Sequence, residues 1–332
     1  MNERKKDLKG IPILDLIHEE LERVERKMRE VSRIEYEQLR ATLDYLLGGG
    51  GKRLRPALVL LSSKFYPADA EKITSMAAAV ETLHTATLIH DDLIDNAFLR
   101  RGNPTLNALW NSAATVLTGD YLFARAAAFA AETESVRVVS IFARTLMTIC
   151  SGELNQIFGG DRGQPTATAR EYYYQRIYSK TASLFAASTE AGAVLGEAPP
   201  TEAQALRDYG YNLGMAFQIV DDILDFAGNE GELGKPIGSD LRQGIITLPT
   251  ICFLEAHPED KTVSRVLSGQ GKGDDEIRAA VEAIKESGAI ESSTAEARGF
   301  AARSRDALSI LPHNKYYQAM LDLADFVVER RK

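Results

Sequence analysis

The chain has 332 residues, of which 45% are hydrophobic and 26% are charged, and its formal net charge is -8. That is enough apolar material for a large core, whereas the excess of acidic side chains argues against nucleic acid as the main partner. The two cysteines, Cys150 and Cys252, exclude a disulfide framework and a cysteine metal cluster, and we expect both to be small apolar core residues.

The N-terminal stretch MNERKKDLKGIPILDLIHEELERVERK is charged, and Asp15 and His18 interrupt its short apolar run. This is not the pattern of a signal peptide. No uninterrupted apolar stretch reaches the length of a membrane span. We therefore expect a cytoplasmic protein without a membrane span, and an amphipathic contact with a membrane surface stays open.

Helical spacing of apolar residues dominates the chain, as at Met76, Val80 and Leu83. Helices are predicted near 73–95, 113–132, 138–158, 170–196, 202–228 and 245–256. Strand alternation with hairpin dipeptides is not evident. Glycine and proline breaks between these helices are short, and none resembles a long flexible linker. We predict an all-α fold in which residues 1–332 form a single domain, one large helical bundle.

Two stretches carry aspartates in the same DDxxD spacing. LIHDDLIDNAFLRRGNP contains the first aspartate cluster, and FQIVDDILDF contains the second; their members are Asp91, Asp92 and Asp95, and Asp221, Asp222 and Asp225. Helical residues four apart share a face, so the outer two aspartates of each cluster can reach one cation together. The middle aspartates point about 100° away, towards a neighbouring ion or a hydrogen-bonding partner.

The chemistry of these clusters favours a hard metal ion. Ligands that are all oxygen, with no nearby cysteine, suit Mg²⁺, which usually binds a few carboxylates together with substrate phosphates. A single DDxxD could equally be a solvated acidic helix face. Two copies flanked by apolar residues imply helices that face an interior, where unpaired carboxylates are costly. The pair therefore predicts a metal-bridged site for a diphosphate.

Basic residues precede and follow the first aspartate cluster. GGGGKRLRP places Lys52, Arg53 and Arg55 after a glycine run, where backbone amides can approach an anion. Arg53 stands where a Walker loop needs Ser or Thr, so this is not such a loop. Taken alone it is a turn with solvated bases, but beside a diphosphate site Lys52 and Arg55 become candidates for a second anion site. Arg100 and Arg101 are cations that would be favourable near the C-terminus of a helix, and their guanidinium groups can also bind phosphate oxygens through two hydrogen bonds.

With these residues the chain resembles the trans-isoprenyl diphosphate synthases, or polyprenyl synthetases. The likeness runs from about Gly48 to Pro249 and includes GGKRLRP, LIHDDLIDNAFLRRGNPT, GDYLFARA, SGELNQ, YSKTASLF, GMAFQIVDDILD and GKPIGSDLRQG. It implies an isoprenoid synthase-like bundle around a central cavity and head-to-tail prenyl transfer. It also implies two or three Mg²⁺ ions, a homodimer, and as substrates isopentenyl diphosphate with dimethylallyl, geranyl or farnesyl diphosphate.

The resemblance also assigns roles by position. The metal ligands would be Asp91, Asp95, Asp221 and Asp225. Asp92 and Asp222 complete the catalytic clusters. Contacts to the allylic diphosphate would be Arg100, Lys180, Thr181, Gln218 and Lys235, with Lys180 also counted as catalytic. Contacts to isopentenyl diphosphate would be Lys52, Arg55, Arg101 and His84, the last of which could otherwise be a hydrogen-bonded core histidine. Many members carry a lysine where this chain has Ile245, so the resemblance implies that one basic contact to the allylic diphosphate is missing here.

Small residues precede the first aspartate cluster on its helix. Thr87 and Ala86 lie four and five residues before Asp91, roughly 6–7.5 Å deeper along the axis. Short-chain members of the family resemble this stretch but carry aromatic rings there, and Leu83 one turn further could narrow a tunnel without sealing it. We therefore predict a product of twenty carbons or more. Other helices could also form the floor, through Val116, Leu117 or Phe158.

Alternatives stay open at this stage. A geranylgeranyl diphosphate synthase is the narrower form of the same activity. A class I terpene cyclase shares one DDxxD but usually lacks the second cluster and the basic residues near Lys52. A non-catalytic regulatory subunit typically lacks both clusters, and a generic metal-binding bundle leaves the ordered basic positions unexplained. Dependence on isopentenyl diphosphate, and activity of the chain alone, would separate these classes.

Overall fold

The structure is a computed structural model that describes residues 12–32, 34–48, 52–100, 102–158, 166–227, 237–271 and 273–330. Within these ranges the regular secondary structure is helical apart from one pair of two-residue antiparallel strands. The predicted all-α fold class is confirmed. None of the helices in the described ranges combines the length and the apolar character that crossing a membrane requires.

The chain forms two units. The first contains the described residues up to Thr145, together with Leu184–Gly210 and Leu308–Asp322. Its own elements are α1 His18–Met28, α2 Glu37–Gly48, α3 Leu54–Ser62, α4 Ala70–Ile94, β1 Leu99–Arg100, β2 Asn103–Pro104, α5 Leu106–Leu109 and α6 Ser112–Ala131. Short 3₁₀ segments lie at Pro12–Ile17, Arg29–Ser32, Ser63–Phe65 and Leu308–Ile310.

The second unit contains the described residues of Leu146–Ser183, Tyr211–Ala307 and the end of the chain from Leu323. Its own elements are α8 Thr166–Ile177, a π-helical segment Tyr178–Ala182, α11 Ser239–Arg242, α12 Leu248–Ala256, α13 Lys261–Leu267, α14 Asp274–Glu286 and α15 Ala289–Ala307. The remaining helices have residues in both units and are α7 Val136–Phe158, α9 Ser183–Leu195, α10 Pro200–Ala227 and α16 Lys315–Glu329.

Helix α4 is the central element of the first unit. Asp69 caps its N-terminus by accepting the backbone N–H groups of Glu71 at 2.8 Å and Lys72 at 3.3 Å. Its middle is buried on almost every side because α1, α3 and α6 all pack against it. The first aspartate cluster therefore lies at the end of a helix whose middle is firmly packed.

A buried ion pair holds the segment before α3 against α4. The Arg53 guanidinium lies 2.9 Å from Glu81 Oε1 and also donates to the carbonyl of Leu47 at 3.0 Å. Arg53 adopts a left-handed backbone conformation, with φ of 46°. Since removing one partner of a buried ion pair leaves an uncompensated charge, this contact is a structural one.

The core of the second unit forms where α12 packs against α8 and α15, and α13 against α14. Its buried cluster comprises Phe226, Leu241, Phe253, Val263, Val266, Ile277, Ala280, Val281, Ile284 and Ala289. Phe226 directly follows Asp225 in the chain and is fully buried. This part of α10 is therefore anchored in a core rather than lying on a surface.

Most predicted helices match the structure, with two differences. The predicted helix 170–196 is interrupted by the π-helical segment, and the helix predicted from 245 begins at Leu248. The expectation that Cys150 is a core residue was wrong, because it is exposed on α7 next to buried Ile149, while Cys252 is half-buried. The single-domain organisation stays a prediction.

Candidate active site

The first aspartate cluster lies at the C-terminal end of α4. Asp91 is half-buried, Asp92 is buried and Asp95 is exposed. Asp95 is the C-terminal cap, and its backbone N–H donates to the carbonyl of Asp91 at 2.8 Å. The helix cannot continue because Asn96 takes a left-handed conformation, with φ of 50°. Two carboxylates of this cluster are thus accessible at a helix end.

Arg100 holds the middle aspartate of this cluster. The strand pair β1–β2 places Arg100 so that its Nε donates to Asp92 Oδ1 at 2.8 Å. Burial raises the pKa of Asp92, and the Arg100 guanidinium opposes that rise. Asp92 was expected to face either a neighbouring ion or a hydrogen-bonding partner, and the structure shows the hydrogen-bonding partner. The predicted contact of Arg100 with an allylic diphosphate stays a prediction.

The other predicted residues of the first unit lie in different surroundings. Lys52, Arg55 and His84 are half-buried, and the Arg55 guanidinium stacks over the Phe185 ring with its carbon 5.1 Å from the ring centroid. Arg101 lies outside the described residues. Arg53 is occupied by its buried ion pair, so Lys52 and Arg55 stay the candidates for the anion site of this loop.

The predicted chain-length residues lie on the buried part of α4. Leu83 and Ala86 are fully buried, and the half-buried Thr87 donates its hydroxyl to the carbonyl of His84 at 2.8 Å. The further candidates Val116, Leu117 and Phe158 are exposed instead. Their position on outer helix faces gives no support to the expectation that they close a buried channel.

The second aspartate cluster lies within α10 and is more buried. The exposed fractions are 5% for Asp222 and 1% for Asp225, whereas the Asp221 side chain is 40% exposed. Tyr173 on α8 donates its hydroxyl to Asp222 Oδ2 at 2.8 Å. Gln218 donates its amide to Asp222 Oδ1, also at 2.8 Å. The middle aspartate here has two donors, which fix the orientation of its carboxylate.

This hydrogen bonding extends to the π-helical segment. Thr181 donates its hydroxyl to Gln218 Oε1 at 2.7 Å, so Thr181, Gln218, Asp222 and Tyr173 form one chain of hydrogen bonds. A π-helical turn inside an α-helix is often found at functional sites. The structure thereby brings together three of the predicted residues and adds Tyr173, which sequence reasoning missed.

Burial dominates the electrostatics of Asp222. Burial and, after it, the nearby Asp240 carboxylate raise the pKa of this carboxyl to about 7, although the hydrogen bonds from Gln218 and Tyr173 oppose the rise. Burial also raises the pKa of the Tyr173 hydroxyl. A cation at this cluster would favour the ionised form of its carboxyls.

Asp225 is held by the turn that precedes α11. Its Oδ2 accepts the backbone N–H of Asp240 at 3.0 Å, and its carbonyl accepts that of Gly238 at 2.9 Å. Gly238 has φ of 69°, and a Cβ there would meet Val281 Cγ2 at 2.6 Å. Glycine is therefore required by both conformation and space.

Three charged residues that contact predicted site residues were missed from sequence, namely Arg330, Glu153 and Asp240. Arg330, directly after α16, places its Nη2 2.6 Å from Asp221 Oδ1. Lys180 pairs with Glu153 on α7, at 3.0 Å. Glu153 and Asp240 stand inside motifs of the family resemblance, SGELNQ and GSDLRQG, which was a usable signal. Arg330 had none, and predicted Lys235 lies outside the described residues.

The donor chemistry of both clusters fits a hard divalent ion. All of the predicted ligands are carboxylates, and two of them, Asp91 and Asp221, are partly exposed on their helices. In the described ranges no three Asp, Glu, His or Cys side chains are already grouped as a metal site. Mg²⁺ commonly takes one or two carboxylates and completes its shell with water and substrate phosphates.

Comparisons with known proteins bear on the whole chain. A family model described as Polyprenyl synthetase matches residues 36–284. The chain belongs to the polyprenyl synthetase family. This synthetase is 40% identical to heptaprenyl diphosphate synthase component 2 of Geobacillus stearothermophilus, over 95% of this chain and 97% of that one. It is 37% identical to a short chain isoprenyl diphosphate synthase of Methanothermobacter thermautotrophicus, over 96% and 98%.

A solved structure also matches this polyprenyl synthetase. The crystal structure of a polyprenyl synthase from Caulobacter crescentus, complexed with calcium and isoprenyl diphosphate, superposes with a TM-score of 0.89 at 37% identity. The match covers 96% of this chain and 97% of that chain. The family and fold implied by the sequence resemblance are thereby confirmed, while the roles of individual site residues stay predictions.

Proposed function

We propose that this chain is a Mg²⁺-dependent trans-polyprenyl diphosphate synthase that joins isopentenyl diphosphate head to tail to an allylic diphosphate. The observation that carries this proposal is the pair of DDxxD clusters in a chain of this family. Each has its middle aspartate fixed by a hydrogen-bonding partner, and its first aspartate partly exposed.

The outer aspartates of each cluster are the proposed metal ligands. Asp91 and Asp95, with Asp221 and Asp225, would hold two or three Mg²⁺ ions against the allylic diphosphate. When bound, these ions would neutralise the charge that develops on the departing diphosphate. Asp92 and Asp222 would keep both clusters in place through Arg100, Tyr173 and Gln218.

The remaining polar residues would bind the two substrates. Lys180 and Thr181 with Arg100, Gln218 and Lys235 would contact the allylic diphosphate, and Lys52 and Arg55 with His84 and Arg101 would contact isopentenyl diphosphate. The double bond of isopentenyl diphosphate then attacks the allylic carbon as the diphosphate departs. Among the described residues no separate carboxylate base stands out, so the proton lost at the end goes to the departing diphosphate. Water must be excluded, and the apolar wall of α4 around Leu83 and Ala86 serves that purpose.

A direct assay tests this function. The purified chain is incubated with Mg²⁺, labelled isopentenyl diphosphate and dimethylallyl, geranyl or farnesyl diphosphate in turn, and product lengths are measured. We expect elongation by the chain alone, without a second protein. A cyclic product formed without isopentenyl diphosphate would identify a terpene cyclase. Elongation only after a second protein is added would show that the chain is one component of a heteromer. The words "component 2" in the name of the Geobacillus relative suggest this alternative.

We propose a product of twenty carbons or more, because Ala86 and Thr87 offer no aromatic floor next to the first aspartate cluster. Ala86→Phe places a ring at a fully buried position. We expect its products from farnesyl diphosphate to be shorter than those of the natural chain. Thr85→Phe, about 100° away around α4, is the control. Unchanged product length in Ala86→Phe would show that α4 does not set it.

We propose a homodimer that packs through α6. One face of this helix exposes Ala113, Leu117, Ala124 and Ala128, small or apolar side chains that permit close helix packing. Sedimentation should therefore report a dimer, and Ala124→Glu should dissociate it. A monomer in the natural chain would contradict this assembly.

A further inference from the structure

The C-terminal Arg330 is built into the surroundings of the second aspartate cluster. Its guanidinium donates to the carbonyl of Phe217 at 2.7 Å and stacks on the Phe217 ring, 3.9 Å from the centroid. Only 4% of its side chain is exposed. These contacts to α10 hold the guanidinium one turn before Asp221, on the same helix.

From this position the guanidinium reaches the most exposed carboxylate of the cluster. Arg330 Nη2 lies 2.6 Å from Asp221 Oδ1, although the Asp221 side chain is 40% exposed. A guanidinium carries its charge at every physiological pH. The guanidinium is therefore a permanent positive charge beside one of the proposed metal ligands, and it requires no protonation event.

We infer that Arg330 lowers the affinity of the second aspartate cluster for a lone divalent ion, so that metal enters this cluster together with diphosphate. The inference rests on the proposed role of Asp221 as a metal ligand. An ion bound at Asp221 would share the carboxylate with the guanidinium and be repelled by it. A metal–diphosphate complex is repelled less by Arg330, because its phosphate oxygens offset the guanidinium charge and can accept hydrogen bonds from the guanidinium.

Direct binding of Mn²⁺ tests this role without any turnover. Free Mn²⁺ is measured by electron paramagnetic resonance during titration of the full chain, with no diphosphate present. The variants are Arg330→Gln, which removes the charge, Arg330→Lys, which keeps it, and Asp221→Asn. Arg305→Gln is the matched control, since Arg305 forms a largely exposed ion pair with Asp325 on α16. Circular dichroism checks that each variant is folded.

We expect Arg330→Gln to bind Mn²⁺ about tenfold more tightly than the natural chain, because the repelling charge is gone. Arg330→Lys and Arg305→Gln should bind as the natural chain does. Mn²⁺ binding by Arg330→Gln that matches the natural chain, or is weaker, would overturn the inference.

A second titration separates this role from two others. Binding of inorganic diphosphate at saturating Mn²⁺ should change little in Arg330→Gln, and the Mg²⁺ concentration for half-maximal turnover should fall. Weakened diphosphate binding with unchanged Mn²⁺ affinity would overturn the inference and make Arg330 a diphosphate contact. If Asp221→Asn leaves metal binding and turnover intact, the proposed function of Asp221 fails, and the inference fails with it.

Discussion

The two aspartate clusters share one sequence pattern but differ in their surroundings. The first lies at the last turn of α4, with Asp95 exposed and Asp92 held by Arg100, whose side chain is 39% exposed. The second lies within α10, with Asp225 1% exposed and Asp222 held by two donors. Identical spacing therefore produces an accessible helix end in one case and a buried, hydrogen-bonded segment in the other.

This difference indicates that the two clusters differ in how easily they adjust to an ion and in how much they contribute to the stability of the protein. A carboxylate at a helix end can adjust to an ion with little effect on the fold. A carboxylate in a satisfied buried network is oriented in advance, and its partners become part of the stability of the protein. Substitutions around the second cluster should therefore cost more stability than matched substitutions around the first.

The largest effect on stability in the first unit should arise upstream of its cluster. Glu81→Ala removes the 2.9 Å partner of the buried Arg53 guanidinium and leaves it the weaker contact with Glu25 at 3.5 Å, which should lower the free energy of unfolding by about 3 kcal/mol. Urea unfolding followed by circular dichroism measures it. Glu134→Ala, which removes an exposed partner of Lys72, is the control and should change little. Equal stability of both variants would show that α4 does not depend on the buried pair.

Glycines beside the two clusters should respond unequally to alanine. Gly238 needs a left-handed backbone, and a Cβ at this position would lie 2.6 Å from Val281 Cγ2, so Gly238→Ala should cost about 2–4 kcal/mol. Gly102 has φ of 74° with nothing within 4 Å, so Gly102→Ala should cost only about 1–2 kcal/mol. Thermal unfolding of both variants makes the comparison. A larger loss of stability in Gly102→Ala than in Gly238→Ala would contradict the conclusion that the surroundings of the second aspartate cluster are the more tightly packed.

Removing the hydrogen-bonding partner of each middle aspartate should also cost more stability at the second cluster than at the first, by a smaller margin. Tyr173→Phe deprives the buried Asp222 of a 2.8 Å hydrogen bond and should cost about 1–3 kcal/mol. Arg100→Gln breaks a partly exposed pair and should cost about 1 kcal/mol or less. Both values come from denaturant titration. Costs in the opposite order would mean that Asp92, not Asp222, is the more tightly held residue.

Much of this site could be predicted from sequence because its information is local. The spacing of Asp91 and Asp95, and of Asp221 and Asp225, follows from the helical period, and the helices that carry them begin and end close to their predicted bounds. The partners could not be predicted in this way. Tyr173 lies 49 positions from Asp222 and Arg330 lies 113 positions from Phe217, and only tertiary packing brings such residues together.

The measurement that bears most directly on the account is turnover of Asp91→Ala and Asp221→Ala with Mg²⁺, isopentenyl diphosphate and farnesyl diphosphate. We predict that each variant stays folded by circular dichroism and loses turnover by a factor on the order of a thousand or more. Near-normal turnover in either folded variant would contradict the claim that both aspartate clusters hold metal against the diphosphate.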